Sequence, residues 1–131
     1  MKLIIAYGLA GMLASGTALG PAEGLIAGYE LDGAGPFSAD AGRAAWQRQH
    51  AAPDGKGTRS CASCHGQDLR QAGKHVKTGK VIEPMAPSRN SQRLSNTKKV
   101  EKWLRRNCRW TLGRECTAQE KGDFVQFMAG Q

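Results

Sequence analysis

Apolar positions recur at helical spacing in short stretches of this chain, separated by segments with no period. Leu25, Ile26 and Tyr29 fall at i, i+1, i+4 and predict one short amphipathic helix. Gly33-Ala-Gly-Pro36 breaks it. Ser38 is placed to cap a second helix with Asp40 in its first turn, and Gly42 and Trp46 share one face of that helix. Pro53-Asp-Gly-Lys-Gly57 reads as a turn. From residue 66 to 96, Gly73, Gly79, Pro84 and Pro87 punctuate the chain and a long loop is expected. A third helix is expected from about Thr97 to Asn107. Val100, Trp103, Leu104 and Asn107 would form its inward stripe, with Lys99, Lys102 and Arg106 opposite. The last helix opens on Thr117-Ala-Gln-Glu120, a capping box. Phe124, Val125, Phe127 and Met128 give it an apolar side, and Gly130 ends it.

The first twenty residues follow a different logic. Lys2 precedes an almost wholly apolar run from Leu3 to Ala14, and small residues follow through Gly20. This is the pattern of a secretory signal peptide over residues 1–20, cleaved near residues 18–22. Nothing downstream is long and apolar enough to span a bilayer, so a chain not spanning the membrane is expected after processing. The remaining residues, 21–131, suffice for one small domain with a modest core.

Chemistry concentrates at Cys61-Ala-Ser-Cys-His65. The thiols of Cys61 and Cys64 lie one helical turn apart, and His65 follows directly. That is the attachment signature of c-type haem, with the thiols adding to the two vinyl groups and His65 supplying an axial nitrogen. A zinc ribbon would need a second close cysteine pair, but Cys108 and Cys116 are too far apart in sequence for one. A thioredoxin-like pair would follow a βαβ pattern, which is missing. With an export signal upstream, the bacterial periplasm is the expected compartment. The fold expected is all-α and class I cytochrome c-like, with about four to five short helices wrapped around one covalent haem. Gly42 with Trp46, and an aromatic helix at the C-terminus, resemble the class I arrangement in which the first and last helices cross closely.

Cys108 and Cys116 form an even pair in an oxidising compartment, so a disulfide is expected. Closing so short a loop is worth ~2.5 kcal/mol in chain entropy. The sixth position on the iron has several candidates. Met85 would raise the potential and suit plain electron transfer. Met128 reads as core, and His50 and His75 lie in polar surroundings. Asn107 is a primary amide on an otherwise apolar stripe, which needs a polar partner. In general such a residue is a helix cap.

Longer stretches resemble a known family. Val100-Glu-Lys-Trp-Leu-Arg-Arg-Asn-Cys108, Gly113-Arg-Glu-Cys-Thr117 and Glu120-Lys121 closely match the sphaeroides haem protein (SHP) family, as do Leu25-Ile-Ala-Gly-Tyr-Glu30, Cys61-x-x-Cys-His-Gly66, Lys77-Thr-Gly-Lys80 and Pro84-Met-Ala-Pro-Ser88. The resemblance covers nearly all of residues 21–131. It implies a high-spin class I cytochrome c with Asn107 as a weak distal ligand and Cys108–Cys116 as the family disulfide. It also implies that the Asn leaves the iron on reduction, opening a site for oxygen and other small diatomic ligands. A diheme cytochrome c is the implied electron donor. One departure is Met85, where a relative has Leu.

Charge adds a partner. Without Lys2 of the leader, 18 Lys/Arg stand against 11 Asp/Glu. Residues 93–114 carry eight Lys/Arg and one acid, so the whole excess surrounds the expected third helix. Nucleic acid is excluded by compartment. A basic patch near a haem suits steered docking of an acidic redox partner, with Lys99, Lys102 and Arg106 as the docking residues. No catalytic residue is identified. The leading reading is a periplasmic haem protein that accepts electrons and binds a small ligand. A plain carrier with Met85 on iron and a haem-based sensor are the alternatives.

Overall fold

The computed structural model describes residues 20–131, so the expected signal peptide lies almost wholly outside the described residues. Helix α1 spans Pro21–Leu31 and α2 spans Ala39–Gln47. A short ribbon pairs β1, His50–Ala51, with β2, Thr58–Arg59. Helix α3 is the five-residue Cys61–His65. A second ribbon pairs β3, Gly73–Lys74, with β4, Val81–Ile82. Helix α4 runs Thr97–Leu112 and α5 runs Ala118–Ala129.

Local signals explain most boundaries. Ser38 Oγ accepts from the Ala41 N–H at 3.1 Å and starts α2 as expected. Thr117 and Glu120 form the reciprocal capping box of α5, at 3.1 and 2.9 Å. Asn96 caps α4 by accepting from the Lys99 N–H at 2.9 Å. Gly113, at φ 75°, ends α4 in the left-handed region that glycine tolerates.

The core lies where α5 meets α2 and α1. Phe124, Val125, Phe127 and Met128 are all buried, together with Leu25, Tyr29 and Trp46. The Trp46 ring meets Phe124 and Phe127 edge-on, with centroids 6.1 and 6.0 Å away. Gly42 sits at the α2–α5 crossing. A Cβ there would collide with the Asp123 carbonyl oxygen and come within 2.8 Å of the Phe127 Cβ. The close helix approach expected from Gly42 is therefore real, and it is an approach to backbone.

A polar tie joins three helices. The Tyr29 hydroxyl on α1 donates to Glu101 on α4, and Lys121 on α5 donates to the same carboxylate at 2.8 Å. Burial raises the Tyr29 hydroxyl pKa, and the Glu101 contact raises it further. For Glu101, burial works against its charge, but the Lys121 and Tyr29 hydrogen bonds prevail and lower its pKa.

Three expectations need correction. Helix α4 does not end near Asn107 but continues to Leu112. The apolar Trp110-Thr-Leu112 sequence carries it on, with Thr111 buried, and Gly113 is the true breaker. The stripe is also turned. The inward side of α4 carries Leu104, Cys108 and Thr111, whereas Trp103 is 43% exposed and Asn107 is exposed. Finally, the loop from 66 to 96 contains the β3–β4 ribbon. Among the described residues no helix is long and apolar enough to cross a membrane.

Gly42→Ala forces a side chain into backbone and is expected to cost on the order of 1–3 kcal/mol. Gly24→Ala, where a Cβ meets nothing within 4 Å, is expected to gain about 0.5–1 kcal/mol, because glycine weakens a helix interior. Thermal denaturation of the two variants, measured side by side, checks both signs.

The pH dependence has a local source. Arg114 grips Glu120 with two hydrogen bonds, at 2.9 and 2.8 Å. These bonds, acting against partial burial, pull the Glu120 pKa from its ordinary 4.5 to about 2. A depressed acid stabilises the fold above its unfolded pKa and loses that contribution as pH falls through the folded one. Stability is therefore expected to decline between pH 4.5 and about 2, and Glu120→Gln is expected to flatten that part of an acid titration followed by circular dichroism.

Candidate functional site

Helix α3 is too short to persist on its own hydrogen bonds. Its start is fixed by two serines. Ser60 Oγ accepts from the Ser63 N–H at 3.1 Å, and Ser63 Oγ accepts from the Ser60 N–H at 2.9 Å. Gly66, at φ 74°, turns the chain out of the helix. Cys61 and Cys64 lie on one side of this turn as free, half-buried thiols, with His65 after them.

Two neighbours hold the turn from outside. The Trp46 Nε1–H donates to the Gly66 carbonyl at 3.0 Å, and the Trp46 ring lies 5.3 Å from the His65 ring. The tryptophan that anchors the α2–α5 core thus also holds the end of α3. On the other side Gly73 of β3 approaches closely. A Cβ there would collide with the Cys64 carbonyl oxygen and come within 2.9 Å of the His65 Cα.

Electrostatics sets the state of these groups. Burial pushes the His65 pKa down to about 4, with the positive charge of Arg93 adding to the effect. The imidazole is neutral at pH 7 and keeps a lone pair to give a metal. Its Nδ1 is buried without a hydrogen-bond partner among the described residues. Burial pushes the Cys61 thiol up to about 11, against a lowering backbone contact, and the nearby Cys64 adds to the rise. Two thiols one turn apart beside a neutral imidazole fit the attachment of a c-type haem.

Arg93 has a second task. Its Nε donates to the Pro84 carbonyl at 2.9 Å and its Nη2 to the Glu83 carbonyl at 2.8 Å. The Ala86 N–H donates to the Leu69 carbonyl at 2.9 Å, and both side chains are fully buried. The segment carrying Met85 is therefore pinned, with Met85 partly buried against the core.

Asn107 lies within α4, not at its end, which removes the helix-cap reading. Trp103, Asn107 and Trp110 recur at i, i+4, i+7 along one strip beside the buried side. Cys108, the next residue, is buried and bonded to Cys116 across a Cα separation of 5.6 Å. The expected bridge is present, one to two turns before the end of α4. Lys99, Lys102 and Arg106 lie on the outer face of the same helix, all exposed, with the Arg106 guanidinium 5.4 Å from the Trp103 ring.

Other members of the basic cluster are engaged. Arg105 and Arg109 meet Glu115, and Arg114 meets Glu120. His75 closes a turn, its Nδ1 accepting from the Lys77 and Thr78 N–H groups at 3.2 Å. Met128 is core, as expected. Periodicity had no means of exposing the roles of Trp46, Arg59 and Arg93. Their partners are backbone carbonyls or a ring up to 51 residues away.

Comparison with known proteins agrees with this geometry. A family described as a domain of unknown function, DUF1924, matches residues 32–128. The cytochrome c-type protein SHP of Cereibacter sphaeroides is 43% identical over 98% of this chain and 97% of its own length. A structure of oxidized SHP, described as an oxygen binding cytochrome c, superposes with a TM-score of 0.76 over 84% of this chain and 96% of that one. Cytochrome c'' of Methylophilus methylotrophus is 36% identical over 66% of this chain and 60% of its own length. The oxidized cytochrome c'' crystal structure gives a TM-score of 0.75 at 31% identity, over 85% of this chain and 94% of that one. The helices crossing at Gly42 and the thiol–thiol–imidazole turn are those of a c-type cytochrome with a class I-like fold. The chain belongs to the SHP family.

Loss of one thiol tests the attachment directly. Acid–organic extraction is expected to leave the colour on the wild-type protein, and Cys61→Ser is expected to give a single thioether or no holoprotein. Free haem released from the wild type would contradict the site.

Proposed function

We propose that this protein is a periplasmic monohaem cytochrome c that accepts electrons and binds a small ligand such as oxygen, with Asn107 as a displaceable ligand. When bound, the haem supplies a one-electron couple and a coordination position for a diatomic ligand. Cys61 and Cys64 would hold it covalently and His65 would give the permanent axial nitrogen.

The reading is carried by the Cys61–Cys64–His65 turn together with the likeness to SHP, and Asn107 is the residue that the family resemblance offers as the second ligand. It is an exposed amide in the middle of a helix, on the strip between Trp103 and Trp110, beside a buried disulfide. It does not cap the helix, and it does not pack in the core. A neutral amide oxygen is a hard, weak donor that favours ferric over ferrous iron. Asn107 is therefore suited to hold a position in the oxidised protein and release it on reduction. The Cys108–Cys116 bridge limits how far that part of α4 travels, so the side chain returns. The description of SHP as oxygen binding supports the ligand class.

Lys99, Lys102 and Arg106 present three cations on the outer face of α4. They suit an acidic electron donor, for which a diheme cytochrome c is the family expectation.

Asn107→Ala is expected to change the ferric optical spectrum and speed azide or cyanide binding in the ferric state. It is expected to differ little from wild type in the ferrous state, where the amide has already left. If the ferric spectrum and on-rates are unchanged, Asn107 is not the ligand, and Met85, pinned by Arg93, is the next residue to test.

A further inference from the structure

Among the described residues, Arg59 is the only buried Lys or Arg, and the site does not already use it. The residue is buried at 9% exposure. It ends β2, two residues before Cys61. Its charged carbon stands 4.0 Å from the centre of the Trp110 ring. Its Nη1 donates to the Trp110 carbonyl at 3.2 Å. Its Nη2 pairs with Asp54, in the turn between β1 and β2, and Lys77 of the β3–β4 ribbon reaches the same carboxylate at 3.5 Å. The His75 ring lies 6.0 Å from Trp110.

Each contact has a physical reason. Trp110 lies in the last turn of α4, where carbonyls lack an intrahelical partner. Arg59 satisfies one of them with a cation placed at the negative end of the helix. The planar guanidinium also stacks on the indole face, which an ammonium cannot match. Asp54 neutralises the charge that burial would otherwise penalise. The result fixes both the height and the rotation of α4 relative to the strand that leads into the attachment turn. Asn107 lies three residues, less than one turn, before Trp110.

We infer that Arg59 is a positioning residue that sets the placement of Asn107 relative to the Cys61–His65 turn. It touches neither thiol nor imidazole, and it acts through Trp110 and the backbone of α4. This inference rests on the reading of Asn107 as a displaceable ligand.

The test is a double-mutant cycle on the ferric holoprotein, read by optical spectrum and azide association rate. Arg59→Lys keeps the charge and loses the fork and the stack. Trp110→Leu removes the ring and leaves Arg59 in place. Both variants are made alone and on Asn107→Ala. Each is expected to shift the ferric spectrum toward that of Asn107→Ala and to raise the azide rate at least about twofold, the low end of coupling between contacting side chains. Each is expected to add nothing once Asn107 is alanine. Two results overturn the inference while leaving Asn107 as ligand. In one, Arg59→Lys and Trp110→Leu lower the melting temperature without moving the spectrum or the rate. In the other, they change the rate equally with and without Asn107. If Asn107→Ala alone changes nothing, the ligand reading fails and the inference falls with it. Should Arg59→Lys give no holoprotein, Trp110→Leu carries the same cycle.

Discussion

The structure depends on one hydrogen bond more than on any other, that from the Trp46 indole to the Gly66 carbonyl. Five residues cannot hold two thiols and an imidazole in fixed relation by helical propensity, since nucleating a helix costs more than one turn returns. Trp46 solves this by sharing its two ends. Its ring is wedged among Phe124, Phe127 and His65, and its N–H meets the carbonyl just past His65. The hydrophobic core and the site are thereby one assembly, and packing of α2 on α5 determines the pose of α3.

That packing in turn requires the close approach at Gly42. A side chain there would push against backbone, which does not yield as a flexible side chain would. The Tyr29–Glu101–Lys121 tie then fixes α4 against α1 and α5 from its opposite end. Helix α4 is held near its start by that carboxylate and near its finish by Arg59 and the disulfide.

Much of this was legible in the sequence. Ser38 and Thr117 carry their capping chemistry within four residues, so the starts of α2 and α5 could be read directly. The attachment turn is a five-residue motif whose spacing states its chemistry. Gly42 could be linked to a close crossing by resemblance. The end of α4 is harder to read, because Asn107-Cys108 looks like a stop while the true signal, Gly113, follows a further stretch of helix. A stripe gives a helix one apolar side but does not say which neighbour that side faces, so it does not reveal that Trp103 is turned outward. The two-residue strands of the 66–96 segment leave too short a pattern to detect. Arg59 and Arg93 reach distant backbone carbonyls, and a carbonyl has no sequence signature.

The disulfide has a consequence beyond its own loop. Cys108 belongs to α4, and Cys116 immediately precedes the cap of α5. Helix α4 is joined through the bridge to α5, through the Gly42 crossing to α2, through Trp46 to α3, and through Arg59 back to α4. The connections form a closed linkage. In an open chain of parts, one joint moves freely and the others ignore it. In a closed one, every joint gives up a degree of freedom to the circuit. A rotation of α4 therefore has to be matched at the α2–α5 crossing, which reaches the attachment turn through Trp46, and the geometry of the site is a property of the whole ring of contacts.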